Sequence, residues 1–340
     1  MDKTIVIAEA GVNHNGDINL AKKLIDVASD SGADFIKFQT FKAEKISAYD
    51  AKKADYQVKN SINKKETQFE MLKRLELSEK SHLELIKYSK KKKINFFSTA
   101  FDLDGIDYLD SLNFNFFKIP SGEINNFIYL KKLSKIGKPV IISTGMANLK
   151  EINAAIQVLM SDKLSKKDIT ILHCNTAYPT PYNDVNLKAM LTIKNEFDID
   201  VGYSDHTLGI EVPIAAVALG AKVIEKHFTL SRKLNGPDHA ASLEPHELKS
   251  MIDAIRNVEK AMSGSGIKEA SPSEKKNINI ARKSIHLFKD LSRGSIINES
   301  DIIPLRPGDG ISPMDWNKVI GKIVVRDLKK FDKITWTDLI

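Results

Sequence analysis

Residues 200–227 read DVGYSDHTLGIEVPIAAVALGAKVIEKH: a short strand-like run at Asp200 to Tyr203, a helical stretch at Ile210 to Leu219, and a second apolar run at Val223 to His227. Two strands joined through a helix lie parallel, because parallel neighbours need a long crossover where antiparallel ones need only a tight turn. Toward the N-terminus the same alternation recurs. Further strands are predicted at Thr4 to Ala8, Phe35 to Gln39, Asn95 to Thr99, Phe116 to Ile119, Val140 to Ser143 and Ile169 to His173. Helices are predicted near Asn19 to Ser31, Glu79 to Lys92, Leu103 to Ser111, Phe127 to Lys135, Leu149 to Met160, Asn186 to Glu196 and Pro245 to Met262. Eight strands, each followed by a helix, predict an α/β fold of the (β/α)8 TIM-barrel type. The stretch from Thr40 to Leu77 breaks the rhythm. It is too long for an ordinary strand-to-helix loop and rich in Lys, Asn and Gln, so it is expected to fold over the barrel mouth.

The chain has 340 residues, which leaves room for a small module after a barrel of roughly 250. From Gly264 the character changes to Gly264-Ser265-Gly266, Ser271-Pro272-Ser273 and a lysine-rich stretch, the composition of a linker. The expected organisation is therefore a barrel over 1–263, a linker over 264–283 and a C-terminal module over 284–340. That module repeats itself once. Asp290-Leu291-Ser292-Arg293, with Ile297 and Ser300-Asp301-Ile302, is echoed by Asp327-Leu328-Lys329-Lys330, with Ile334 and Thr337-Asp338-Leu339. A compact pseudo-symmetric β unit is expected, and two copies are too few for a solenoid.

Composition narrows the function classes. Hydrophobic residues at 42% and charged residues at 28% suit a globular enzyme rather than a disordered or fibrous chain. The formal charge is +7, but its densest cluster, Lys90 to Lys93, closes a helix without interleaved aromatics and reads as solvated surface, so no nucleic-acid partner is expected. The positive field favours anionic substrates. No apolar run approaches the roughly 20 residues that span a bilayer, so no membrane partner is expected. A single cysteine, Cys174, can form neither an internal disulfide nor a thiolate cage, which points to a cytoplasmic location.

In a TIM barrel the C-terminal strand ends converge on one face. Here they read Glu9, Gln39, Thr99, Lys118, Ser143, His173, Ser204 with His206, and Glu225 with His227, all hydrogen-bonding or ionisable. His206 and His227 top the seventh and eighth strands and can face one divalent cation. Mn2+ or Mg2+ is favoured over zinc because no third nitrogen or sulfur ligand is evident. Glu9 ends the first strand, which abuts the eighth when the barrel closes, and can act on a bound water or substrate hydroxyl. Lys37 and Lys118, hemmed by apolar strand residues, with the hydroxyls of Thr99, Ser121, Ser143 and Ser204, suit a phosphate dianion.

These residues carry a resemblance. Glu9-Ala10-Gly11-Val12-Asn13-His14-Asn15-Gly16, Lys37-Phe38-Gln39-Thr40, Lys118-Ile119-Pro120-Ser121-Gly122-Glu123, Ser143-Thr144-Gly145-Met146, His173 through Tyr178-Pro179-Thr180-Pro181, Ser204-Asp205-His206-Thr207, Glu225-Lys226-His227-Phe228-Thr229 and Gly236-Pro237-Asp238 resemble the sialic acid synthase family in kind and order. The tail around Arg306-Pro307-Gly308-Asp309-Gly310-Ile311 resembles the antifreeze-like SAF domain, a β-clip fold that ends those enzymes. The resemblance implies an N-acetylneuraminate synthase, a transferase of carbohydrate biosynthesis that condenses phosphoenolpyruvate with N-acetylmannosamine and water. It assigns the cation to His206 and His227, catalysis at the aldehyde to Glu9, and phosphoenolpyruvate to Lys37, Thr99, Lys118, Ser121, Ser143, Thr176 and Ser204. It assigns the amino sugar to Gln39, Glu123, Tyr178 and Asp238. Arg306 would reach the partner's sugar in a domain-swapped homodimer. Two positions depart from the family pattern: Ala100 stands where proline is usual, which is expected to loosen that loop, and Ala10 where isoleucine is commoner.

The alternative within the family is a legionaminic acid synthase acting on 2,4-diacetamido-2,4,6-trideoxymannose. Outside it stand a Schiff-base barrel aldolase using Lys37 or Lys118, which needs no metal, and a non-catalytic sugar-binding scaffold.

Overall fold

A computed structural model describes residues 3–60 and 63–340; residues 61 and 62, inside the long stretch after the second strand, lie outside the described residues. The chain divides into two units, the break falling between Ser263 and Gly264.

The first unit is the barrel. Its strands are β1 (Ile5–Gly11), β2 (Phe35–Thr40), β3 (Asn95–Ala100), β4 (Phe117–Ile119), β5 (Val140–Ser143), β6 (Ile169–Cys174), β7 (Asp200–Asp205) and β8 (Val223–His227). They form one sheet in the order β3-β2-β1-β8-β7-β6-β5-β4, with all ladders parallel. The end strands β3 and β4 lie side by side and nearly close the ring. The helices cover the outside. The helix Ile18–Ser31 is representative: the Asp17 carboxylate caps it by accepting from Asn19 N, Gly32 ends it in the left-handed region at φ 83°, and Ala21, Leu24, Ile25 and Ala28 form its buried stripe.

Strand periodicity sets the lumen. Ile7, Phe97, Ile141, Leu172 and Val223 form one buried apolar layer inside the ring. Val6, Ala8 and Ala10 alternate with Ile7 and pack outward into the main core. Two residues past the apolar layer, on the same face, come Glu9, Thr99, Ser143, Cys174 and Glu225, a polar floor standing on an apolar plug. The β1 strand runs to Gly11, three residues beyond its expected end, so Glu9 is held within a ladder rather than at its tip. Ala100 is also still in strand, 1% exposed, its carbonyl accepting from Tyr129 Oη at 2.8 Å; the loosening expected from its lack of proline is not seen. The stretch after β2 folds as three short helices, Ala43–Ile46, Asp55–Asn60 and Gln68–Leu75.

The second unit is small and mostly β. Strands β9 (Ser284–Leu287) and β10 (Ile302–Leu305) pair antiparallel over a core of Ile285, Leu287, Ile297, Val324, Leu328 and Ile334. The internal echo has a structural meaning: Leu291 and Leu328, equivalent in the two copies, exchange backbone hydrogen bonds at 2.9 Å in both directions. Asn298 with Asp301, and Thr335 with Asp338, make matching capping boxes. Residues 264–283, read as linker, carry the short helices Pro272–Lys275 and Ile278–Ala281 within this unit.

One buried group gives the first unit an acid-sensitive stability. His14 is fully buried, its Nδ1 accepts from Gly16 N at 2.9 Å, and burial pulls its pKa from 6.5 to about 4. The unfolded chain therefore takes up a proton near pH 6.5 that the folded chain refuses until about pH 4. The contribution is complete above pH 6.5 and is lost as pH falls from 6.5 to about 4, up to about 3 kcal/mol. Unfolding midpoints measured across that range should fall with pH, and more shallowly in His14→Gln.

Candidate active site

A single cavity of about 360 Å³ opens above the polar floor, lined by Glu9, Lys37, Gln39, Thr99, Lys118, Ser121, Glu123, Ser143, Thr176, Tyr178, Ser204, His206, His227 and Asp238. Every barrel residue assigned to the cation, to phosphoenolpyruvate or to the sugar thus lines one space. Arg306 belongs to the second unit; it is exposed, and its Nε donates to Ala281 O at 3.0 Å. His173 is a correction to the strand-end reading. On β6 the alternation that puts Leu172 and Cys174 inside turns His173 outward, where its Nε2 lies 2.9 Å from Val185 O. It does not line this cavity.

The register explains the assembly. Glu9 sits level with Lys37 of β2 on one side and His227 of β8 on the other, and Ser204 of β7 is level with Glu225. Gly11, at φ 51°, leaves the space between them. A Cβ there would stand 3.2 Å from Glu9 Oε1, 3.3 Å from Gln39 Nε2 and 3.4 Å from His227 Cε1.

The charges are interleaved. Lys37 Nζ lies 3.0 Å from Glu225 Oε2 and 3.3 Å from Glu9 Oε2. Lys118 Nζ lies 3.6 Å from Glu225 Oε1 and donates to Ser143 Oγ at 2.7 Å, while Ser204 Oγ donates to Glu225 Oε1 at 3.1 Å. Glu225 therefore neutralises both lysines, a role that its naming as a mere strand end did not foresee. Its position two residues before His227 and two after Val223 was the available signal. The two carboxylates are driven apart. Burial raises the Glu9 pKa well above the ordinary carboxylate range, although Lys37 resists. Burial also opposes charge on Glu225, but Lys118 and Lys37 outweigh it and hold that group low. Burial thus favours a proton on Glu9, and the lysines favour the charged form of Glu225. Burial pulls Lys118 down to about 8, whereas Lys37, buried too, is held up by Glu225 and Glu9. The Thr99 hydroxyl is buried without a hydrogen-bond partner among the described residues, an arrangement that a ligand oxygen would complete.

The two imidazoles stand with ring centroids 5.4 Å apart. The His206 Nδ1 bonds the Asn175 carbonyl, which can only accept, so Nδ1 carries the proton and Nε2 keeps its lone pair. Burial lowers the His206 pKa to about 4 and the His227 pKa well below 6.5, so both rings are neutral. His227 Nδ1 is buried without a hydrogen bond, 4.0 Å from Asp238 Oδ2. Among the described residues no cluster of three or more His, Cys, Asp or Glu is placed to hold a metal. A cation here would have the two imidazoles as its protein donors and would fill its remaining positions with water and substrate oxygens. Tyr178 packs against both rings, tilted 34° at 4.0 Å from the His206 centroid and edge-on to His227 at 5.6 Å, and Tyr56 from the stretch after β2 stacks on Tyr178 at 5.0 Å. Asp238 is raised by burial to about 7. Among the described residues, no helix is long and apolar enough to cross a membrane.

Comparison with known proteins agrees with this geometry. Residues 24–268 match the NeuB family and residues 282–340 match the SAF domain. The chain is 55% identical over 334 residues to the N,N'-diacetyllegionaminic acid synthase of Campylobacter jejuni, covering 98% of this chain and 99% of that one. It is 47% identical to the enzyme of the same name from Legionella pneumophila, over 97% and 93% of the two chains. Among solved structures, the N-acetylneuraminic acid synthetase of Leptospira borgpetersenii in complex with citrate superposes with a TM-score of 0.70 at 36% identity, covering 82% of this chain and 90% of that one.

Proposed function

The chain belongs to the NeuB family, and from that premise we propose that it condenses phosphoenolpyruvate with 2,4-diacetamido-2,4,6-trideoxymannose and water, releasing phosphate and a legionaminic-type nine-carbon keto acid. The observation that carries the reaction class is one pocket lined by two buried lysines, the buried carboxyls of Glu9 and Glu225 and two buried imidazoles. The choice of sugar rests on whole-length similarity to two legionaminic acid synthases, which favours that substrate over the N-acetylmannosamine expected from sequence.

In this reading Lys37 and Lys118, with Thr99, Ser121, Ser143, Thr176 and Ser204, hold the phosphate and carboxylate of phosphoenolpyruvate. Gln39, Glu123, Tyr178 and Asp238 orient the open-chain sugar. A divalent cation, Mn2+ or Mg2+, held by His206 and His227, would supply Lewis-acid polarisation of the aldehyde. C3 of phosphoenolpyruvate forms the new bond to the sugar's aldehyde carbon, and the Glu9 carboxyl gives its proton to the aldehyde oxygen as charge develops there. Water then adds at C2 and returns one proton to Glu9, and the C2–O bond to phosphate breaks, the phosphate leaving with its bridging oxygen and the second proton as the new hydroxyl becomes the keto carbonyl. The lysines stabilise the departing anion. We assign Arg306 to the sugar pocket of the partner subunit in a domain-swapped homodimer, since among the described residues its exposed guanidinium is tied to its own chain only through Nε. A cytoplasmic location fits the lone buried thiol, Cys174.

The low pKa of Lys118 keeps one rival in play, because an amine at about 8 can form a Schiff base. Treatment with EDTA should abolish phosphate release, and added Mn2+ should restore it. Borohydride with either substrate should leave Lys118 unmodified. A metal-independent activity with a trapped lysine adduct would establish the aldolase instead.

A further inference from the structure

We infer that Ile46 and Leu72, carried on the stretch between β2 and β3, form an apolar wall that selects a sugar whose far end is a methyl group; this rests on the synthase reading above. The cavity has two unlike sides. The strand ends supply its charges, and both lysines of the lining, Lys37 and Lys118, stand on that side. The stretch after β2 contributes Ile46, Met71, Leu72 and Leu75, with the amides of Gln57 and Gln68.

The wall is built rather than incidental. Met71 and Leu75 pack with Val12 and Phe41 in a buried cluster of their own, and Ile46, Leu72 and Phe101 lie against it. Its frame is pinned to the barrel and to itself: Asn60 Nδ2 donates to Pro237 O at 2.9 Å, Ala43 N to Glu76 Oε1 at 2.8 Å, and Gln68 N to Ala51 O at 2.9 Å. Thr67 and Glu70 form a capping box that starts the helix bearing Met71 and Leu72.

The sugar's orientation follows from the reaction. Its aldehyde carbon must meet phosphoenolpyruvate beside Glu9 and the two imidazoles, so carbons 4 to 6 extend away from the strand ends, toward this wall. A terminal methyl there removes apolar surface from water on both partners. A terminal hydroxyl would lose its water against Ile46 and Leu72, and a terminal phosphate would meet no Lys or Arg among the residues that line that side. The 4-acetamido group has the Gln57 and Gln68 amides as neighbours of matching chemistry. An apolar wall rejects an added hydroxyl by at most about 100-fold, so the selectivity expected is finite and measurable.

The test compares kcat/KM for the 2,4-diacetamido-6-deoxy sugar with that for N-acetylmannosamine in wild type, Leu72→Asn, Ile46→Thr and the conservative Leu72→Met. Both positions are half-buried, which favours folded variants. Wild type should prefer the deoxy sugar. Leu72→Asn should cut the ratio about 10-fold, Ile46→Thr less, and Leu72→Met should retain it, with KM for phosphoenolpyruvate unmoved. A wild-type preference for the deoxy sugar that survives both polar substitutions to within about twofold would overturn the wall and leave the synthase reading standing. A wild type that prefers N-acetylmannosamine would overturn both.

Discussion

Replacing Lys37 with methionine is expected to lower folding stability by about 3–5 kcal/mol and to cut kcat/KM for phosphoenolpyruvate on the order of 10³-fold. Both losses come from the same atoms. Lys37 Nζ bridges Glu9 and Glu225, and all three side chains are at most 6% exposed. Without the ammonium, Glu225 keeps only Lys118, at 3.6 Å, and a buried carboxylate loses its nearer countercharge. The two effects can be separated by adding Glu225→Gln. In the double variant the under-paired carboxylate is gone but Lys118 loses its own countercharge, so stability measured by urea unfolding should return only in part, while the phosphoenolpyruvate defect should persist. Recovery of activity along with stability would mean that Lys37 only props up the barrel and does not hold substrate.

Much of this was legible in the sequence because barrel physics is periodic. Eight apolar runs separated by amphipathic stretches specify parallel strands with helical crossovers, and the strand-end rule then points to the residues that line the cavity. The misreadings have one cause. A run of apolar residues locates a strand without stating which residue faces inward, and a shift of one exchanges the lumen for the outer face. His173 was taken for a lumen residue although Leu172 and Cys174 hold that face. Glu225 received no role because pairing with two lysines from β2 and β4 is a three-dimensional relation. The stretch after β2 was recognisable as a cover by its length, but its apolar lining was hidden among lysines and glutamines. Only the fold of its three short helices separates Ile46, Met71, Leu72 and Leu75 from their polar neighbours.

Substituting His227 with alanine should reduce kcat on the order of 10³-fold and weaken Mn2+ binding, read directly by electron paramagnetic resonance of the free ion. The expectation stands on two features that a bound cation would account for. A buried imidazole nitrogen without a hydrogen bond costs desolvation free energy, and His227 Nδ1 is such an atom. Two neutral rings held 5.4 Å apart, one of them locked by the Asn175 carbonyl with Nε2 unprotonated, are arranged to donate electron pairs rather than protons. Removing His227 should leave the fold intact, because the buried Lys226 to Asp205 ion pair at 2.5 Å ties β8 to β7 on the opposite face of the same strands. Unchanged Mn2+ affinity in a folded His227→Ala protein would show that the imidazole pair serves the sugar directly, and the aldehyde would then have to be activated by the Glu9 proton alone.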